Sequence, residues 1–175
     1  VAHILPGAAG FLIQKEIDAL GHAIANPTRP FLAIMGGSKV KDKIALIDNL
    51  LPKVDKILIG GGMVFTFTKA KGGSIGNSLL DADSIEYCRR LLDAHSDKLV
   101  LPVDIVVAAE MKSESPTQVV AWDAIPDGTA GFDIGPESCK VYADLIANVG
   151  TALWNGPMGV FEIDAFATGT RTVAR

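Results

Sequence analysis

Three short apolar runs in this chain each stop at a glycine cluster. Phe31-Leu32-Ala33-Ile34-Met35 meets Gly36-Gly37-Ser38-Lys39, and Lys56-Ile57-Leu58-Ile59 meets Gly60-Gly61-Gly62. Thr151-Ala152-Leu153-Trp154 meets Asn155-Gly156-Pro157-Met158-Gly159. β-prone runs that end in glycine-rich turns and lead into helical patterns are the sequence form of strand–loop–helix units. In an open parallel sheet the carboxyl ends of the strands share one edge, and ligands bind in a crevice there. Glycines let backbone N–H groups come close to a ligand, and helix N-termini behind them favour anions. The three stretches therefore point to one phosphate-friendly edge.

The rest of the chain supports that class. Its 175 residues suffice for one sizeable domain. Hydrophobic residues make up 49%, which suits a parallel sheet buried on both faces. No apolar stretch reaches the length of a membrane span. A net charge of −4 with mixed signs argues against a nucleic-acid partner. Cys88 and Cys139 lie far apart without metal-ligand spacing, as in a reducing cytoplasm. The start lacks a basic n-region, and both ends read as cuts within a longer polypeptide.

Periodicity places the elements. Ile13, Ile17, Leu20 and Ile24 predict an amphipathic helix over Ala9–Ala25. Helices are expected after the first glycine pair (Ile44, Ile47, Leu50, Leu51), near Met63–Ala70 and over Ser84–Asp93. Pro136 opens another, striped by Tyr142, Leu145, Ile146 and Val149. A last helix is expected from about Ile163. Met111–Gln118 reads as a loop, Val119–Trp122 as a short strand outside the main sheet, and Gly131–Ile134 as a strand near the glycine edge. The expected architecture is an α/β, doubly wound (Rossmann-like) parallel sheet flanked by helices on both faces.

Several residues on these loops could carry chemistry. Lys39 and Lys43 are four apart, so a helix starting at the glycine pair would project both from one face. Two cations there oppose the helix dipole, and an anion between them would relieve the conflict. Lys41 points elsewhere on such a helix. Three glycines in a row, Gly60 to Gly62, imply a close approach to a neighbouring helix or a flat base. In the Asn155–Glu162 stretch, Val160 and Phe161 could cover an apolar base. Glu162 could either accept ribose hydroxyls or simply sit in a first helical turn. Asp104 reads best as a cap. His3, His22 and His95 make no metal or triad spacing, and no Walker loop, Gly-x-Ser-x-Gly elbow or zinc cluster occurs. The first glycine loop lacks Gly-x-Gly-x-x-Gly, which disfavours a dinucleotide dehydrogenase.

Gly-Gly-x-Lys-Val-x-x-Lys over Gly36–Lys43 and Trp-Asn-Gly-Pro-x-Gly-Val-Phe-Glu over Trp154–Glu162 are specific together. With Gly7–Ile17, Ile57–Phe67, Leu101–Asp104 and Asp133–Pro136, they make the chain resemble the C-terminal, nucleotide-binding domain of the phosphoglycerate kinase family. The resemblance implies residues 1–25 as an interdomain-type helix with its lead-in and 26–175 as a nucleotide-binding domain, truncated at its C-terminal end. It implies phosphoryl transfer between 1,3-bisphosphoglycerate and ADP with Mg²⁺, in the cytoplasm and as a monomer. By position, Lys39 would be catalytic and Lys43 would hold phosphates. Gly36, Gly37, Ser38, Gly61, Gly62, Gly131, Phe132, Asn155, Gly156, Pro157 and Val160 would shape the nucleotide pocket, and Glu162 would bind the ribose. The magnesium ligand and the 3-phosphoglycerate site would lie outside these 175 residues, leaving the chain alone inactive. A non-catalytic nucleotide- or metabolite-binding module is the alternative. Ser38 replaces the family's usual alanine, and Thr129-Ala130-Gly131-Phe132 departs from its Trp-Met-Gly-Leu, which bears on the base pocket.

Overall fold

A computed structural model of the chain describes residue 8 and residues 10–175. Helix α1 (Phe11–Ala25) leads into strand β1 (Phe31–Met35), followed by α2 (Ile44–Leu50) and β2 (Lys56–Ile59). Next come α3 (Val64–Ala70), β3 (Ser74–Ile75), α4 (Ile85–His95), β4 (Leu99–Val100) and β5 (Asp104–Ala108). The chain continues with β6 (Gln118–Ala121), β7 (Ala124–Ile125), β8 (Ala130–Ile134), α5 (Pro136–Ala147), β9 (Thr151–Asn155) and α6 (Thr168–Val173).

The main sheet is parallel, with strand order β4-β2-β1-β9. Its strands alternate as a doubly covered sheet requires. Phe31, Ala33, Met35, Ile57 and Ile59 join one buried cluster with Ile47 and Leu50 of α2, Val64 and Phe67 of α3, and Cys88 and Leu91 of α4. Leu32, Ile34 and Leu58 face the other way, into a cluster with Cys139 and Tyr142 of α5 and Val173 of α6. Each such fully buried Ile or Leu contributes roughly 2 kcal/mol. Tyr142 adds a polar tie, its hydroxyl donating to the Ile59 carbonyl at 2.6 Å.

The sequence reading is refined at several points. β8 does not extend the main sheet: it pairs antiparallel with β5, which also pairs antiparallel with β6. β3 and β7 form a further short pair. The isolated pattern of β8 carried no sign of its partner, because strand pairing is a tertiary choice. The first helix begins at Phe11, and Ala9 lies outside the described residues. Of its apolar stripe, Ile13, Ile17 and Leu20 stay half exposed, while Ile24 packs on the core. Asp104 is a cap as expected, but for a helix far along the chain. Its carboxylate accepts the Ser138 amide at 2.8 Å and the Glu137 amide at 3.1 Å, at the start of α5.

Candidate functional site

The parallel register brings the glycine clusters level. Met35 pairs with Ile59 on one side and with Asn155 on the other, so all three strands end together. The chain order turns in opposite directions from β1 to reach β2 and β9, and a crevice opens at such a switch point. The loops there are tied to one another by main-chain hydrogen bonds. The Gly36 amide donates to the Asn155 carbonyl at 2.9 Å, and Gly37 to Pro157 at 3.0 Å. Gly61 donates to Met158 at 2.9 Å, and Met63 to Gly37 at 3.0 Å.

This contact explains the glycines. A Cβ on Gly36 would stand 2.0 Å from the Pro157 carbonyl oxygen. Gly61 has φ +65°, and a Cβ there would stand 2.6 Å from the Gly37 nitrogen. The close approach foreseen for the triple glycine is thus made to a neighbouring loop rather than to a helix.

Above the loops lies a cavity of about 510 Å³. Gly37, Ser38, Gly61, Gly62, Gly131, Phe132, Pro157, Val160 and Glu162 all line it. Although β8 comes from the second sheet, it is locked in place: the Val160 amide donates to the Phe132 carbonyl at 2.8 Å, and the Gly131 amide to Ser78 Oγ at 2.9 Å. Phe132 leans on Phe166, with ring centroids 4.8 Å apart. Gly36, Asn155 and Gly156 lie outside the cavity lining and hold its floor together instead. Asn77, Leu79 and Met111 also line the cavity, and they were not foreseen. They stand on loops, and only the leucine pair Leu79-Leu80, apolar residues at a polar turn, hinted at such a role.

Lys39 and Lys43 are not in the cavity lining; they lie beside it, on the turns that follow Ser38, and are its rim only in that sense. The reading that put them on one helical face is corrected here, because α2 starts only at Ile44. Val40 is fully buried and the Lys43 amide closes a turn onto its carbonyl, so residues 39–43 fold as turns. Lys39 is exposed, and Lys43 is partly buried, its ammonium donating to Asn155 Oδ1. Lys43 therefore does turn toward the Trp154–Glu162 connection. Glu162 is exposed in a turn rather than in a helix, since a short 3-10 turn at Asp164–Phe166 precedes α6.

One ionisable group in the cavity wall is perturbed. Asp133 is buried, and burial pushes its carboxyl up to about 6, against the pull of the Gly169, Ile134 and Thr168 amides. Its Oδ2 accepts the Gly169 amide at 2.7 Å, joining β8 to α6. Cys88 is inert by comparison, since burial pushes its thiol up to about 12. Among the described residues no cluster of three or more His, Cys, Asp or Glu is placed to hold a metal ion. These side chains do not build a magnesium cage. A smaller hollow of about 280 Å³ opens at the opposite end of the sheet, near Pro30, Leu32, Asp144 and Val149.

Fold and site define an open α/β domain whose pocket lies at the carboxyl edge of a parallel sheet. Comparison with known proteins gives the family. The phosphoglycerate kinase family matches residues 1–175. The phosphoglycerate kinase of Moorella thermoacetica is 54% identical over the whole of this chain and 45% of its own length. That of Deinococcus radiodurans is 53% identical over 99% of this chain and 42% of its own length. The solved phosphoglycerate kinase of Coxiella burnetii superposes with a TM-score of 0.89 at 44% identity, covering 95% of this chain and 44% of that one. The chain belongs to the phosphoglycerate kinase family, and it spans under half the length of these relatives.

Proposed function

We propose that this chain supplies the nucleotide half of a kinase that moves a phosphoryl group between 1,3-bisphosphoglycerate and ADP. Residues 26–175 form that nucleotide domain, and within residues 1–25 helix α1 (Phe11–Ala25) is the interdomain-type helix that leads into it. The carrying observation is the convergence of four loops, after β1, β2 and β9 and around β8, on one largely apolar cavity, with Lys43 bonded to Asn155 on the adjoining turns. A flat base fits between the glycine backbones and Val160, and Glu162 at the mouth accepts ribose hydroxyls.

The phosphates then run toward Lys39 and Lys43. In this transfer the bond between phosphorus and the acyl oxygen breaks, a terminal ADP oxygen takes the phosphoryl group, and a carboxylate leaves. Such chemistry depends on positioning and charge stabilisation. Lys39 faces the charge on the transferring group, and Lys43 anchors the nucleotide phosphates while Asn155 orients its ammonium. Mg²⁺ would arrive bound to the nucleotide phosphates and neutralise their charge. The 3-phosphoglycerate end is supplied from outside this chain. The setting we infer is the cytoplasm, which agrees with two free, buried cysteines. No described helix is long and apolar enough to cross a membrane.

Isothermal titration tests the reading. Both adenosine and MgADP bind this chain, MgADP more tightly, while a coupled kinase assay on the chain alone gives no turnover. Absence of binding by either ligand rejects the assignment.

A further inference from the structure

One segment touches both the cavity and the lysine loop, yet carries none of the groups assigned above. It runs from Asn77 to Asp81, between β3 and α4. At its start the Asn77 amide donates to the Thr129 carbonyl at 2.8 Å, and Ser78 Oγ accepts the Gly131 amide at 2.9 Å. In its middle Leu79 lines the cavity, its Cδ2 3.5 Å from where a Cβ on Gly62 would be. At its end lies Asp81, a carboxylate only 8% exposed.

Asp81 reaches out of its own segment. Its Oδ2 accepts the Lys41 amide at 2.9 Å, forty residues back in sequence, and the Ser84 hydroxyl at 2.9 Å. Its own amide donates to Thr66 Oγ1 on α3 at 3.2 Å. Lys41 lies midway between Lys39 and Lys43. A buried carboxylate accepting a backbone N–H is a charge-assisted bond, stronger than a neutral one. Lys43 is tied at three points: its amide donates to the Val40 carbonyl, its carbonyl accepts the Ile47 amide at 2.8 Å, and its ammonium donates to Asn155. Lys41 is held through its amide by Asp81.

We propose that Asp81 is a positioning residue for Lys39 and Lys43: it clamps the Lys41 amide, and through Leu79 and Ser78 it ties the lysine turn to the base end of the cavity. This rests on the nucleotide reading above. Asp81 touches no ligand itself and acts by fixing where the two ammonium groups stand.

Paired titrations of the chain with adenosine and with MgADP test the clamp. Asp81→Ala lowers MgADP affinity at least fivefold and leaves adenosine affinity within twofold. Asp81→Asn keeps a carbonyl acceptor and restores MgADP affinity to within twofold of the parent chain. Asp81→Ser keeps a hydroxyl at the head of the Ala82–Ser84 turn but falls short of Lys41, so it gives the alanine phenotype in a well-folded chain. In both short variants hydrogen exchange at the Lys41 amide speeds up at least tenfold. Equal losses for the two ligands, or unchanged Lys41 exchange, overturn the clamp while leaving the nucleotide reading intact. A parent chain that binds neither ligand overturns both.

Discussion

The floor of the cavity and its lysine rim are held by different means. The floor is main chain on main chain: Gly36, Gly61 and Gly156 lie so close to neighbouring carbonyls and amides that no side chain fits. The rim is made of long side chains on a run of turns, with Lys39 exposed and Lys43 leaning on Asn155. Shape in the floor is fixed by packing and backbone hydrogen bonds, which transmit any added atom into strain. Charge at the rim is set by where its turn is anchored and is screened by solvent. Substitutions in the floor should therefore act on folding and binding together, and those of the two lysines on phosphate recognition alone.

The sharpest way to break this contrast is Gly36→Ala. Its new methyl must displace the Pro157 carbonyl, a backbone atom, from 2.0 Å. Urea denaturation should show a loss of about 3 kcal/mol or more, as overpacking in a closed site does. Lys39→Ala, measured the same way, should stay within about 0.5 kcal/mol of the parent chain.

Asp133, in the β8 wall of the cavity, gives the contrast a pH dependence. Its carboxyl is raised in the folded state from 3.8 to about 6. Between those values the folded chain holds a proton that the unfolded chain has released. This group's contribution is thus fully present below about pH 4 and is lost as pH rises through 6, a change of roughly 3 kcal/mol. Asp133→Asn does not titrate, so its stability relative to the parent chain should climb between pH 4 and pH 7. A flat difference across that range would show that Asp133 is already ionised at pH 4.

Two rim substitutions have smaller effects and divide the ligand. Lys39→Ala should weaken MgADP binding about tenfold by loss of a charge-assisted contact, with adenosine unaffected. Glu162→Gln should weaken both ligands about threefold, the scale of a hydrogen bond at an exposed group. Titration calorimetry at fixed salt reads both. If Lys39→Ala weakened adenosine as well, the division into base end and phosphate end would fail.

The floor was legible in the sequence because its signals are local. A β-prone run ending in glycines marks a strand end, and the unbroken burial of Phe31–Met35 follows from an apolar run covered on both faces. Most of the rim was not legible. Lys39 and Lys43 have helical spacing, yet buried Val40 and the clamp from Asp81 hold their stretch as turns. No local pattern announces a contact between residues forty apart in sequence. The same holds for β8, whose pairing with β5 is decided in space. Leu79 and Met111 reached the cavity from loops for which periodicity gives no direction. Asp133 reads as one acid within a strand, and only three dimensions reveal its burial in the pocket wall.

The central claim is that loops from both sheets form one nucleotide pocket with its phosphate end at the lysine turn. Backbone amide shifts of the labelled chain, titrated in parallel with adenosine and with MgADP, test it most directly. Gly62, Gly131 and Val160 should move with both ligands, while Lys39, Lys41 and Lys43 should move with MgADP alone. Shifts gathered instead around Pro30, Leu32 and Val149 at the opposite end of the sheet would contradict it.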